Sequence, residues 1–158
     1  MPITKYIKGN LLDHDGPIAH GVNTQGKMNS GVAKAIREKY PDIYDEYVSY
    51  IKYQIEEKGR DPLGACSQYR DAKGHTLVYN MFTQDKYGYD GKRYVSYKAV
   101  KESFDLLNYL AQTPRFGRAL NPVGIPKIGA GLGGGDWEVI EQIIDEVTPH
   151  IEIWVYEL

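Results

Sequence analysis

The sequence predicts an α/β fold with a mixed central β-sheet flanked by helices. Three observations carry that expectation. Short apolar runs of strand length alternate with stretches of helical spacing along the chain. The connections that follow Asn23 and Ile128 are built from glycine and short polar residues, as strand–loop–helix units often are. The 158 residues suit one domain spanning 1–158 with a proper core.

Taken in order, Thr4–Ile7 is expected as a first strand, followed by Lys8-Gly9-Asn10-Leu11-Leu12 and a polar turn at Asp13–Pro17. Ile18–Asn23 is the second strand, Thr24–Ser30 a polar loop, and Gly31–Tyr40 a helix with Val32, Ile36 and Tyr40 on one face. Pro41 stops that helix, because a proline ring carries no N–H and crowds the preceding turn. Asp42–Glu57 resumes helical spacing through Ile43, Tyr47, Tyr50, Ile51 and Ile55, and Lys58-Gly59 ends it. Leu63–Tyr69 and Thr76–Phe82 read as two strands joined by the turn Asp71-Ala72-Lys73-Gly74. Thr83–Tyr94 is expected as an irregular loop, Ser96–Gln112 as a helix with Val100, Phe104, Leu107 and Leu110 inward, and Thr113–Leu120 as a basic connection. Val123–Ile128, Asp136–Val147 and Ile151–Tyr156 complete the chain as strand, helix and strand.

Composition removes several function classes. Charged residues make up 25% and the net charge is −2, so general electrostatic binding to nucleic acid or to a membrane surface is not expected. A single cysteine, Cys66, excludes an intramolecular disulfide and a cysteine-based metal cage, which suits a reducing cytosol. No apolar run approaches the roughly 18 residues that a membrane helix needs. A cytoplasmic monomer without cofactor or metal is the expectation. The fourteen tyrosines, many of them within Tyr40–Tyr53 and Tyr87–Tyr97, read as amphipathic packing.

The chemistry is expected around Val123–Trp137, where an apolar strand passes into five glycines between Gly129 and Gly135 before Asp136 opens a helix. Glycines let main-chain N–H groups approach a ligand closely, and a helix N-terminus beyond them adds unpaired donors, so the expected guest is an anion such as phosphate. Gly129, Gly131 and Gly134 satisfy G-x-G-x-x-G, but that dinucleotide fingerprint belongs in a first βαβ unit with an acidic residue about 20 positions on. Gly21 to Met28 fits G-x-x-x-x-G-K and then fails, because methionine cannot hold Mg²⁺ where a P-loop needs Ser or Thr. What survives is a second strand–loop–helix unit aimed at the same sheet edge, suiting a ligand with several phosphate or ribose groups.

Lys8-Gly9-Asn10-Leu11-Leu12, Ile18-Ala19-His20-Gly21-Val22-Asn23, Gly26-Lys27-Met28-Asn29-Ser30-Gly31-Val32-Ala33, Pro126-Lys127-Ile128-Gly129-Ala130-Gly131-Leu132 with Trp137, and Val155-Tyr156-Glu157-Leu158 together resemble a macro domain, in order and spacing, over nearly the whole chain. Within that family the likeness is to the branch with ADP-ribose-1″-phosphate phosphatases and ADP-ribose glycohydrolases. The resemblance implies a three-layer fold with ADP-ribose, or ADP-ribose-1″-phosphate, as small-molecule ligand across the strand ends. Asn10 and Leu11 would then face the adenine, with Asn10 standing where many macro domains have aspartate. Asn23 and the loop Gly26, Lys27, Met28, Asn29, Ser30, Gly31 and Val32 would hold the distal ribose and its 1″ substituent. Ile128, Gly129, Ala130, Gly131, Leu132, Gly133 and Gly134 would wrap the diphosphate, and Tyr156 would stand near the adenine.

The same resemblance separates the chemistries. Glycohydrolases of this branch attack with a lysine directly after a threonine at the end of the fourth strand, whereas here Thr83 is followed by Gln84 and Asp85, and Lys86 comes late. The acid such an enzyme carries in the second loop falls on Gly133. His20 points toward a phosphatase: an imidazole titrating near neutrality would orient an attacking water or protonate a departing oxygen, the alternative being a hydrogen-bonded structural histidine. Asp136 is either a helix N-cap or a catalytic partner. Gln84 and Asn23 are candidates to position water, and His14 and His75 are expected to be solvated in turns. The candidate catalytic set is therefore His20, Asn23 and Asp136, for removal of a 1″ phosphate; hydrolysis of ADP-ribose from protein or nucleic acid, and simple ligand binding, stand as alternatives.

Overall fold

The computed structural model describes residues 3–29, 31–86, 93–111, 122–131 and 133–158. Six strands, β1 (Ile3–Lys8), β2 (Ile18–Asn23), β3 (Cys66–Arg70), β4 (Thr76–Gln84), β5 (Val123–Ile125) and β6 (Ile153–Glu157), form one sheet in the order β1-β6-β5-β2-β4-β3. All neighbours are parallel except β3 and β4, which pair antiparallel across the Asp71–Gly74 turn. The sheet is mixed, as the sequence predicts.

Helices cover both faces. On one side α1 (Gly31–Lys39) and α2 (Ile43–Lys52) bury Ile36, Ile43, Tyr47 and Ile51 against Ile18, Val22, Val78 and Phe82. On the other, α3 (Tyr97–Ala111) and α4 (Trp137–Val147) bury Val100, Phe104, Leu107, Ile140 and Ile144 against Ala19, Tyr79, Met81, Ile125 and Val155. Alternate residues of β2 and β4 therefore enter two different cores, which explains why both strands read as nearly continuous buried runs. No described helix is long and apolar enough to cross a membrane.

The structure corrects several boundaries. The helix expected over Asp42–Glu57 changes at Tyr53 into a π-helical turn, Tyr53–Glu57; the wider turn rotates Ile55 off the apolar face and leaves it 53% exposed. Val32 is likewise exposed, and within the helix begun at Gly31 only Ile36 is fully buried. Thr83 and Gln84 belong to β4, not to the following loop: the register shifts past Thr83, and Gln84 resumes the ladder beside Asn23. β5 ends at Ile125, where Pro126 cannot donate to a neighbouring strand. His14 is not a solvated turn residue. Its Nε2 donates to the Pro122 carbonyl at 2.5 Å, its Nδ1 accepts from the Tyr156 hydroxyl at 2.6 Å, and its ring stands edge-on to Trp154. His75, by contrast, has a side chain 72% exposed beside Asp71. The expected connection Thr113–Leu120 lies outside the described residues.

Candidate functional site

Parallel strands aim their carboxyl ends at one edge, and the loops after β2, β4 and β5 meet there around a cleft of about 350 Å³. Of the predicted site residues, His20, Asn23, Lys27, Asn29, Gly31 and Val32 line it from the β2 side. Gln84, Ile128, Gly129, Gly131 and Gly133 line it from the other. Ser30 and Leu132 lie outside the described residues. Met28 is buried beneath the first loop, Gly26 accepts the Tyr44 hydroxyl through its carbonyl, and Ala130 and Gly134 stand back from the lining. Asn10, Leu11 and Tyr156 gather beyond the cleft, at the ends of β1 and β6: Asn10 caps a 3₁₀ turn by accepting the Leu12 N–H, and Leu11 is buried.

The glycine loop is a main-chain device. Gly129 has φ +78, and a Cβ there would meet Val95 Cγ2 at 2.6 Å, so glycine is required twice over. The Gly135 N–H closes the loop on the Gly129 carbonyl at 2.7 Å, and the Tyr94 and Val95 N–H groups donate to the Gly133 carbonyl. The N–H groups of Gly129, Gly131 and Gly133 find no acceptor among the described residues, and all three residues line the cleft. Free main-chain N–H groups gathered in one concave loop suit an anion.

The first loop is built differently. Asn23 Oδ1 accepts the N–H groups of Gln25 and Lys27 at 2.9 and 3.3 Å, and its Nδ2 donates to the Lys27 carbonyl at 3.0 Å. The Tyr47 hydroxyl, buried beneath, donates to the Asn23 main-chain oxygen at 2.5 Å and lies 2.9 Å from Oδ1. Burial raises the Tyr47 phenol well above its ordinary range, so it stays a donor. Asn23 is thus largely spent on holding its loop, with one Nδ2 hydrogen left for a ligand. The loop ends at the N-terminus of α1, whose first residues Gly31, Val32 and Ala33 line the cleft at the end where a helix leaves its first N–H groups without intrahelical partners.

Helix α4 does not serve the cleft as the sequence suggested. Asp136 Oδ1 accepts the Glu138 N–H at 2.9 Å, capping α4 with its own carboxylate, and Asp136 is absent from the lining. A second correction concerns His20. The ring is 1% exposed, and burial pushes its pKa down to about 4, so it does not titrate near neutrality. Its Nε2 lies 2.7 Å from Asn80 Oδ1, while Nδ1, also buried, has no partner among the described residues. Thr83 Oγ1 is a second unpartnered buried atom at the cleft, and a Cβ on Gly21 would sit 2.8 Å from it.

Sequence reasoning did not single out Thr83, Lys127 or Asn80 for the site. Thr83 and Asn80 gain their place only through the register of β4 against β2, which no local pattern encodes. Lys127 lines the cleft but pairs with Glu157 at 2.6 Å. Among the described lining residues there are two lysines and no carboxylate, and no three His, Cys, Asp or Glu side chains cluster for a metal.

No protein-family model matches the chain. A search of curated proteins does find relatives. The chain is 30% identical to an ADP-ribose 1″-phosphate phosphatase of Scheffersomyces stipitis, covering 96% of this chain and 98% of that one. It is 27% identical to a DNA ADP-ribosyl glycohydrolase of Thermus aquaticus, over 97% of this chain and 41% of that longer protein. Among solved structures, the macrodomain of Thermus aquaticus DarG superposes with a TM-score of 0.75 at 27% identity, covering 98% of this chain and 97% of the other. With the sheet order, the two loops and these relatives together, the chain belongs to the macro-domain family.

Proposed function

We propose that the chain is a hydrolase of ADP-ribose derivatives, and specifically a metal-independent phosphatase that removes the 1″ phosphate from ADP-ribose 1″-phosphate. The carrying observation is the charge of the lining: two lysines and no carboxylate among the described residues, around an uncharged histidine. Cleaving a glycosidic bond to protein or nucleic acid calls for an acid at the leaving atom or a nucleophile at the anomeric carbon. The position after Thr83, where a lysine would attack, holds Gln84, whose side chain donates to the Lys86 carbonyl. A phosphate monoester instead brings its own negative charge, which N–H donors and a lysine stabilise without any protein acid.

In this reading the diphosphate rests on the free N–H groups of Gly129, Gly131 and Gly133, and the 1″ phosphate faces the N-terminus of α1 and Lys27. Water attacks phosphorus and the bond from phosphorus to O1″ breaks; one proton of the water passes by way of a phosphate oxygen to O1″, so that ADP-ribose and inorganic phosphate leave. His20, uncharged with its pKa near 4 and with Nδ1 buried, forms the inner wall of the cleft and is not the proton donor. Asp136, spent on capping α4, takes no part.

The test is phosphate release from ADP-ribose 1″-phosphate by purified protein, with and without chelator, beside calorimetric titration with ADP-ribose. Release that survives chelation supports the reading. ADP-ribose binding with no release, and liberation of ADP-ribose from modified protein or DNA, would replace it with the glycohydrolase; binding alone would leave a reader. Gly131→Glu separates ligand from fold, because a Cβ there would meet nothing within 4 Å among the described residues. The variant folds normally and loses ADP-ribose binding; retained binding would overturn the placement of the ligand.

A further inference from the structure

His20, Asn80 and Ser67 form a buried polar row across three neighbouring strands. Register places His20 of β2 beside Asn80 of β4, and Asn80 beside Ser67 of β3. The three are 1%, 2% and 8% exposed, within the apolar face that packs on α1 and α2. His20 Nε2 is 2.7 Å from Asn80 Oδ1, and Asn80 Nδ2 donates to Ser67 Oγ at 3.2 Å. His20 lines the ligand cleft, whereas Asn80 and Ser67 line a separate polar cavity of about 210 Å³ behind it. The row is thus a wall between two cavities, with only its histidine facing the ligand.

A neutral imidazole carries one proton, and the row permits two self-consistent arrangements. Either Nε2 donates to the amide oxygen and Nδ1 presents a bare lone pair, or the amide is turned, Nε2 accepts, and Nδ1 carries the hydrogen. The two differ in what is left unpaired inside the protein. The second buries an N–H with no acceptor, which native structures rarely tolerate; the first leaves an under-used acceptor, which is commoner.

We infer that Asn80 is a positioning residue that fixes His20 as the Nε2–H tautomer, so that the buried Nδ1 in the inner wall of the cleft carries a lone pair and not an N–H. This deepens the proposed phosphatase reading and rests on it for its consequence in turnover, though not for the tautomer itself. The burial that keeps the ring uncharged also keeps the choice of tautomer meaningful at neutral pH. No step here moves a proton along the row, since an amide holds the ring without relaying protons.

The experiment is nitrogen-15 NMR of histidine-labelled protein without ligand, with the His20 ring assigned by its loss in His20→Gln. The expected signature is a protonated Nε2 and an unprotonated Nδ1. A protonated Nδ1 would overturn the inference, whatever the substrate proves to be. Asn80→Leu keeps side-chain volume and removes the acceptor; its His20 signals shift toward mixed tautomers, and kcat on ADP-ribose 1″-phosphate falls about 10-fold with little change in KM, because the ring forms the inner wall of the cleft. Ser67→Ala keeps the Asn80 oxygen in place and retains the wild-type ring signature, so general damage to the strand row predicts a different pattern. Wild-type protein with the Nε2–H signature but no phosphate release would sink the phosphatase and leave the tautomer standing; release with an Nδ1–H ring would do the reverse.

Discussion

The two loops of the cleft reach the same end by opposite means. The loop after β5 is shaped by what its residues lack: glycines fold back on their own carbonyls, as Gly135 does on Gly129, and leave N–H groups facing outward. The loop after β2 is shaped by one side chain, Asn23, which replaces main-chain partners with its amide and hands the cleft the N-terminus of α1. A loop of the first kind is intolerant of added atoms where it folds on itself, at Gly129 and Gly135, whereas one of the second is intolerant of removed ones. The helices that follow differ as well: α1 places its first residues at the cleft, while α4 stands away from it and has its Glu138 N–H capped by Asp136. An anion site can therefore take its donors from a bare loop or from a helix end, and this one combines one of each.

The largest effect is expected from adding atoms to the glycine loop. Gly129→Val imposes a β-branched residue at φ +78 and drives its Cβ to within 2.6 Å of Val95 and 3.0 Å of Ile140. Backbone strain and overpacking together cost about 4 kcal/mol, and ADP-ribose binding disappears with the loop geometry. Urea denaturation and calorimetry check both. Stability close to wild type would show that the loop relaxes freely and that its shape is not enforced.

This contrast also explains what the sequence disclosed. The glycine loop was legible because its mechanism is compositional: five glycines before Asp136 announce close approach of the backbone. The order of strands and helices was legible from periodicity, down to the antiparallel β3–β4 pair around Asp71–Gly74. Long-range facts were hidden. Nothing near His20 in the chain shows that β4 will seal its ring beside Asn80, so an imidazole that reads as a neutral-pH titrator is in fact buried and uncharged. His14 misled in the same way, since its partners Pro122 and Tyr156 come from the far end of the chain. The π-helical turn at Tyr53–Glu57 was hidden for a different reason, because it breaks the very period used to read helices.

The strand that feeds the Asn23 loop carries a pH liability that the glycine loop lacks. His20 has its pKa lowered to about 4 from 6.5 by burial, so the native ring binds fewer protons than the unfolded one between those values. Stability is then full above about pH 6.5, falls as pH drops through the window, and levels off near pH 4, a loss of about 3 kcal/mol. Comparing urea midpoints of wild type and His20→Gln across this range isolates the effect, since the variant keeps every other titrating group. Parallel curves for the two proteins would contradict a buried neutral His20.

Removing atoms from the first loop comes next. Asn23→Ala strips the acceptor of two N–H groups and the donor to the Lys27 carbonyl, while Tyr47 keeps the main-chain oxygen of residue 23. The expected cost is about 2 kcal/mol, with weakened ADP-ribose binding because Gln25 to Lys27 no longer hold α1 in register with the cleft. Full affinity at reduced stability would mean that the helix end is positioned by its packing on Ile36 and not by the loop.

The smallest effect is the most discriminating between the two helices. Asp136→Ala removes only the cap on the Glu138 N–H, and a lost N-cap costs about 1 kcal/mol. Because α4 keeps its N-terminus away from the cleft, ADP-ribose affinity and phosphate release should match wild type in the same titration that detects the thermal shift. An affinity loss comparable to that of Gly131→Glu would instead show that Asp136 holds the glycine loop from behind, and that the two loops are less independent than their hydrogen bonds suggest. Equal affinity with a lowered melting temperature assigns the cleft's helix donors to α1 alone.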